Sequence, residues 1–294
     1  MRLLAPAKLN LSLEIEAKRA DGFHELRTLM VPIAFCDELE IERSGGELVF
    51  AAPGCNFPDE ENLALRAARL FFARTGQRGG AVIRLEKHIP AGAGLGGGSS
   101  DAAAVLRALD RLYATCLGDE ALMAMAAELG SDCAFFIKQQ ALVMGGRGEK
   151  LLAEVSLVER AYLLVLPPFG MPTAAVYRAL KLPLTRKSVL ATIPSDGMES
   201  VRPEDCLVND LEMAAFELRP ELGALKRELL DVGALGAQMS GSGSTVFGVF
   251  EDHDHLMSSM CRLRRREGYA YVPTTRLTGV SNEHYRSEGV SGNR

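Results

Sequence analysis

The chain has 294 residues, 47% of them hydrophobic, with 33 basic and 38 acidic side chains and a formal net charge of −5. That is enough length and apolar content for one large globular domain or two ordinary ones. The mild acidity argues against a nucleic-acid footprint, and no apolar run approaches the roughly 20 residues that a membrane-spanning helix needs.

The N-terminus reaches polar alternation by residues 11–16, which reads as a strand and not as a signal peptide. The six cysteines (36, 55, 116, 133, 206 and 261) show neither C-x-x-C spacing nor a histidine at metal-ligand spacing. They read as small buried side chains of a protein kept in a reducing cytoplasm.

In chain order, residues 2–16 form a strand interrupted by Pro6, and residues 26–41 a second one ending at Ser44-Gly45-Gly46. Residues 48–51 complete a hairpin. After a loop at 53–58, Asn62 opens an Ala/Leu/Arg-rich helix to Thr75, and 81–85 is a strand. A glycine-rich loop leads into helices over 100–113 and 117–129, the second stopped by Gly130-Ser131. From 135 the chain is apolar and strand-like, and 141–148 is another strand and turn. A composition break over 149–160 precedes a strand at 162–166 and a short helix at 173–180. Residues 181–203 are irregular and polar, a candidate mobile excursion. Helices at 209–218 and 222–230 flank Pro220, a second Gly/Ser loop enters a strand within 238–250, 253–267 is helical, and 269–275 is a closing edge strand. The polar tail from 281 reads as disordered. Early strands followed by helices argue for packed layers of α and β structure.

The densest signal is Pro90-Ala91-Gly92-Ala93-Gly94-Leu95-Gly96-Gly97-Gly98-Ser99-Ser100-Asp101. So many glycines raise the entropic cost of ordering the loop, and close backbone approach to an oxyanion is the use that fits. The loop opens a helix, whose unpaired N–H groups and positive dipole end favour phosphate. Ser99 and Ser100 add hydroxyls for phosphate or Mg²⁺. No G-K-[ST] follows, so this is no Walker A loop, and a G-x-G-x-x-G match without a surrounding βαβ unit is weak. ATP is the expected ligand. Ser240-Gly241-Ser242-Gly243-Ser244 is either a tight turn or a second set of donors closing on the same polyphosphate.

Phosphoryl transfer to an alcohol needs a group to take or guide the hydroxyl proton and positive charge near the moving phosphate. Asp132, between Gly130-Ser131 and an apolar run, is a general-base candidate, with a capping or turn role as the alternative. Lys8 sits in an apolar strand, where a lysine commonly snorkels to water; beside a carboxylate it would hold that acid ionised and polarise the acceptor. Asn10, two positions on, shares its face.

These residues carry a resemblance. Pro6-Ala7-Lys8-Leu9-Asn10-Leu11, Arg19-Ala20-Asp21-Gly22-Phe23-His24-Glu25-Leu26, Glu61-Asn62-Leu63, the two glycine loops, Gly130-Ser131-Asp132 and Pro172-Thr173 together resemble the GHMP kinases over residues 2–280. Within them, the likeness is to the branch that phosphorylates 4-diphosphocytidyl-2-C-methyl-D-erythritol in non-mevalonate isoprenoid synthesis. The resemblance implies a two-domain α+β fold: an N-terminal α/β domain like domain 2 of ribosomal protein S5 (1–155) and a C-terminal α+β domain (156–280), with a tail at 281–294. The site is expected in the interdomain cleft.

By the same resemblance, Lys8 and Asp132 are the catalytic pair. Asn10, Phe23, His24, Thr173 and Tyr177 contact the substrate, with two aromatic rings sandwiching the cytosine and the histidine reading its polar edge. Asn62, Lys87, the loop from Pro90 to Ser100, and Gly241, Ser242 and Gly243 hold ATP, with Mg²⁺ near Ser99 and Ser100. The partner is a small cytidine-diphosphate substrate, without nucleic acid or membrane, and the protein is a monomer or weak homodimer. Two departures are visible: Phe23 stands where the family often has Tyr, which keeps stacking but loses a phenolic hydrogen bond, and Ser131-Asp132-Cys133 varies the surroundings of the acid. Mevalonate, phosphomevalonate and homoserine are competing acceptors, disfavoured because they carry no base for Phe23-His24 to read. A non-catalytic nucleotide-binding protein is the other alternative.

Overall fold

The computed structural model describes residues 1–53, 59–181, 188, 190 and 200–277. The expected tail from 281 and most of the expected excursion over 181–203 lie outside the described residues.

The chain opens with two long antiparallel strands, β1 (Arg2–Lys18) and β2 (His24–Ser44). The short β3 (Val49–Ala51), helix α1 (Leu63–Thr75) and strand β4 (Gly80–Glu86) follow. Next come α2 (Gly97–Tyr113), α3 (Gly118–Leu129), α4 (Phe135–Lys138), β5 (Leu142–Gly145) and β6 (Lys150–Glu154). The remaining elements are β7 (Ala161–Leu166), α5 (Thr173–Ala179), β8 (Val208–Asn209), α6 (Glu212–Leu218), α7 (Pro220–Asp231), β9 (Gly236–Met239), β10 (Val246–Phe250), α8 (His253–Met260) and β11 (Ala270–Thr275).

Two sheets result. The first runs β3-β4-β2-β1-β8, with β5 paired to β2 and β6 to β5; the second runs β11-β7-β10-β9. Along β1 the odd positions Ala7, Leu9, Leu11, Leu13 and Ile15 are buried apolar side chains, while Lys8, Asn10, Ser12 and Glu14 are buried polar ones. Successive side chains of a strand face opposite ways, so this alternation puts a polar stripe on one side of β1 and core on the other.

Helix α1 starts where the Asn62 side chain accepts the Ala64 N–H and stops at Gly76 in the left-handed region. Its buried Ala64, Ala67, Ala68 and Phe71 meet Ala102, Val105, Leu106 and Leu109 of α2 in one core that also takes Ile41 and Ile83 from the first sheet. A second apolar layer joins Leu9 and Val31 to Tyr162, Leu164 and Phe247 and so ties the two sheets together.

Four elements differ from the sequence reading. Residues 135–138 are helical, not extended: Phe135, Phe136 and Ile137 are all buried, and a short apolar run does not reveal by itself whether a helix or a strand buries it. Strand β3 pairs in parallel with β4, not in a hairpin with β2, because β4 already occupies that edge of β2 from Glu38 to Ser44. Asn209 belongs to β8, parallel to β1 at Ser12 and Leu13, and the helix begins only at Glu212. Thus a strand from the second half of the chain completes the first sheet. Helix α8 ends at Met260, short of the expected end at 267.

Candidate active site

The glycine-rich loop enters from β4 and ends at Gly96, whose positive φ of 72° starts α2. Its carbonyls are taken by the protein one after another. Gly92 O accepts from Met171 N (3.0 Å), Ala93 O from Thr245 N (3.1 Å) and Leu95 O from Lys8 N (2.9 Å). Gly94 O accepts from Lys8 Nζ at 2.7 Å and from Ser240 Oγ at 2.9 Å. With the carbonyls used this way, the loop N–H groups are left to serve an anion. At Gly94 a side chain is excluded: φ is +75° and a Cβ would overlap the Ser240 carbonyl oxygen.

The second loop, Ser240 to Ser244, is held from below. Asn209 Nδ2 donates to Met239 O and Gly241 O, both at 2.8 Å, and Asn209 Oδ1 accepts from Leu211 N. Gln238 Nε2 donates to Asn10 O and Leu11 O at 3.0 Å, so this strand is stitched to β1. Neither amide was singled out from sequence, since nothing local distinguishes them.

Between the loops lies a cleft of about 1060 Å³ lined by β1, β2, both glycine loops, the α3–α4 turn and α5. On its floor Lys8, only 3% exposed, donates to Gly94 O and to Asn10 Oδ1 and lies 3.8 Å from Asp132 Oδ2. Asn10 Nδ2 is fixed by Thr28 Oγ1 at 2.8 Å. Asp132 stands in the turn after α3, its side chain about one-third exposed, so it can meet an incoming hydroxyl. Burial pulls the Lys8 pKa below its ordinary 10.5, and the charge of Asp132 opposes that pull. If Lys8 is the group that stabilises an alkoxide it must be charged, and kcat/KM, which reports free-enzyme groups, is then expected to fall on an alkaline limb below pH 10.5. A pH profile flat to beyond that value would remove Lys8 from the transfer step.

The cleft also carries an aromatic group. His24 and Tyr177 sit with ring centroids 5.1 Å apart, tilted by 31°, while Phe23 is 52% exposed beneath the Arg147 guanidinium at 4.7 Å. Burial, then Lys18, lowers the His24 pKa; a neutral imidazole offers one donor and one acceptor nitrogen. Thr173 Oγ1 and Ser242 Oγ share a hydrogen bond of 2.9 Å, joining α5 to the second loop. Lys18, Arg147 and Arg178 also line the cleft. They are scattered in sequence and only tertiary convergence makes them a group.

Of the residues expected to hold ATP, Gly92, Gly94, Gly96, Ser99, Gly241, Ser242 and Gly243 line the cleft. Pro90, Ala91, Ala93, Leu95, Gly97, Gly98 and Ser100 do not, and the hydroxyl of Ser100 is buried without a partner among the described residues. Asn62 and Lys87 also stand off the cleft wall. The Asn62 oxygen caps α1, which leaves its amide donors, and the Lys87 ammonium is shared by Asp37 and Asp101, which leaves one of its three N–H groups.

Two glycine loops from different halves of the chain meet at Gly94 and Ser240 beside a lysine–aspartate pair, in a fold of the GHMP kinase type. The family model for the GHMP kinases N terminal domain matches residues 62–140, and that for GHMP kinases C terminal matches residues 199–262. The 4-diphosphocytidyl-2-C-methyl-D-erythritol kinase of Pelotomaculum thermopropionicum is 41% identical over 277 residues, covering 92% of this chain and 96% of the relative. The enzyme of the same name from Geobacter sulfurreducens is 39% identical, covering 94% of this chain and 99% of its own. A crystal structure of 4-(cytidine 5'-diphospho)-2C-methyl-D-erythritol kinase superposes with a TM-score of 0.77 at 38% identity, covering 95% of this chain and 100% of that one. Methanococcus jannaschii mevalonate kinase shares the fold at a TM-score of 0.69 and 14% identity, covering 95% and 98%. The chain belongs to the 4-diphosphocytidyl-2-C-methyl-D-erythritol kinase family of the GHMP kinases.

Proposed function

We propose that this ATP-dependent kinase transfers the γ-phosphoryl group of ATP to the C2 hydroxyl of 4-diphosphocytidyl-2-C-methyl-D-erythritol, giving ADP and the 2-phosphate. The observation that carries this reading is the aromatic group Phe23, His24 and Tyr177 in the same cleft as Lys8, Asp132 and both glycine loops. Small acceptors such as mevalonate and homoserine would leave that group unused.

In this reading the loop N–H groups and Ser99 bind the ATP phosphates, and Asn62 and Lys87 offer their remaining donors at its flank. Asp132 takes or guides the C2 hydroxyl proton. Lys8 keeps Asp132 ionised and faces the developing alkoxide, and Asn10 orients the methylerythritol. Phe23 and Tyr177 stack on the cytosine, His24 reads its edge, and Thr173 adds a polar contact. Among the described residues no group of three His, Cys, Asp or Glu side chains fits a protein-held cation. This suits Mg²⁺ carried mainly by substrate phosphates, with Ser99 its cleft-lining hydroxyl and Ser100 the buried one behind it. A cation held there would supply positive charge against the nucleotide phosphates.

No described helix is long and apolar enough to cross a membrane. The protein is proposed to work in the cytoplasm as a monomer or weak homodimer, without nucleic acid or membrane. The test is ADP release with Mg·ATP and 4-diphosphocytidyl-2-C-methyl-D-erythritol, mevalonate or homoserine as acceptor. Turnover confined to the first supports the proposal; turnover with another overturns the base-recognition assignment. Phe23→Ala is expected to weaken cytidine-substrate binding by about 1–3 kcal/mol, the scale of one base–aromatic stack, with ATP affinity little changed. Titrating both ligands against the variant checks this, and unchanged substrate affinity would sink the stacking role.

A further inference from the structure

One charged cluster joins Lys87, named above for its remaining donor, to two buried carboxylates that have no part in the chemistry above. Asp37, on β2, is completely buried. Its Oδ1 accepts the backbone N–H groups of His88 at 2.6 Å and Ile89 at 2.8 Å. Its Oδ2 accepts from Lys87 Nζ, and the same ammonium donates to Asp101 Oδ2 on α2 at 2.7 Å. Asp101 lies one turn beyond Gly97, so both face the same way. At Gly97 the backbone comes so near that a Cβ would sit 3.2 Å from Asp37 Oδ2 and 2.9 Å from Ile89 Cγ2.

These contacts flank the phosphate loop on both sides. Residues 87–89 lead into it, Gly97 and Asp101 lead out of it, and one carboxylate on a strand of the sheet bonds the first side directly and reaches the second through Lys87. A loop built largely of glycine has little stiffness of its own, so its shape depends on how its ends are held. Fixing both ends to a buried group places the loop N–H groups before the nucleotide arrives and lowers the ordering cost of binding.

We infer that Asp37 is a positioning residue for ATP: it clamps the two ends of the phosphate loop together, directly at His88 and Ile89 and through Lys87 to Asp101. The cluster holds two carboxylates against one ammonium. Both oxygens of Asp37 are bonded, whereas Asp101 Oδ1 is buried without a partner among the described residues. Asp101 is therefore the weaker arm of the clamp and Asp37 the stronger. This inference rests on the proposal that the glycine loop binds ATP, and it extends that proposal to a residue outside the cleft.

The test is Asp37→Asn, with Asp101→Asn beside it. The first keeps one oxygen for the N–H groups of His88 and Ile89 but removes the charge that holds Lys87. The second loosens only the link to α2. Affinity for a non-hydrolysable Mg·ATP analogue and for 4-diphosphocytidyl-2-C-methyl-D-erythritol is measured by calorimetry. Amide exchange of the peptide covering residues 88–100 is followed in the same proteins. For Asp37→Asn the expected result is a loss of analogue affinity on the order of 10- to 100-fold, faster exchange in that peptide and unchanged acceptor affinity. Asp101→Asn is expected to move the same two readouts in the same direction by less.

Unchanged analogue affinity in folded Asp37→Asn would overturn the inference, as would equal weakening of both ligands, which marks general damage. Should Asp37→Asn not fold, Asp101→Asn with wild-type affinity and exchange would overturn it as well. Wild-type protein that binds the analogue but turns over none of the acceptors refutes the proposed reaction and leaves the loop measurement readable.

Discussion

Asp132→Asn is expected to lower kcat by about 10²- to 10⁴-fold, the range for removing a positioned general base, while Mg·ATP still binds. The asparagine keeps the shape of the side chain in the turn after α3 but can neither take a proton nor carry charge. A second effect adds to the first. Lys8 lies 3.8 Å from Asp132, and the effect of its burial is opposed by that carboxylate's charge. Without the carboxylate, burial acts on the ammonium with less opposition, and the pKa of Lys8 drops further. Single-turnover phosphoryl transfer and titration with an ATP analogue separate chemistry from binding. Wild-type turnover would take Asp132 out of the mechanism, and lost analogue binding would make it a structural group of the nucleotide site.

Gly94→Ala is expected to lower kcat/KM by on the order of 100-fold, the scale of a misplacement of about 1 Å at a reacting centre. The added methyl would overlap the Ser240 carbonyl and approach Gly243 O at 3.0 Å, at a backbone φ of +75°. A left-handed non-glycine residue alone costs about 1–3 kcal/mol, and the overlap is with backbone, which cannot swing aside. Either loop must then move. Because Gly94 O receives both Lys8 Nζ and Ser240 Oγ, that movement withdraws the ammonium from its place as well as opening the cleft. Steady-state kinetics with both substrates and a thermal melt check the expectation. An alanine variant of normal melting temperature and normal kcat/KM would show that contact between the loops is not required for transfer.

Most of this site was legible as local chemistry. A run from Gly92 to Gly98 signals close backbone approach whatever the rest of the fold does. The period of a strand is enough to put Lys8 and Asn10 on one side of β1. The Asn62 cap was readable for the same reason: its oxygen meets an N–H only two residues on. Where the reading failed, the deciding partner was distant. The run 135–138 was buried either way, and packing in the core, not pattern, made it a helix. Strand β3 joined β4 because the edge of β2 was taken.

What the sequence by itself determined is the set of groups whose work depends on near neighbours: the phosphate loop, the polar stripe of β1, the caps and most helices. What only the tertiary structure decided is which groups meet across the chain. It brought Asp132 to Lys8, Thr173 to Ser242, and Lys18, Arg147 and Arg178 to one cleft. It also turned Asp37, an unremarked acid in a strand, into the anchor of residues some 50 positions later. The physical reason is range: propensity, capping and strand period act over a few residues, whereas the cost of burying a charge or an amide is met only by partners that folding supplies from elsewhere.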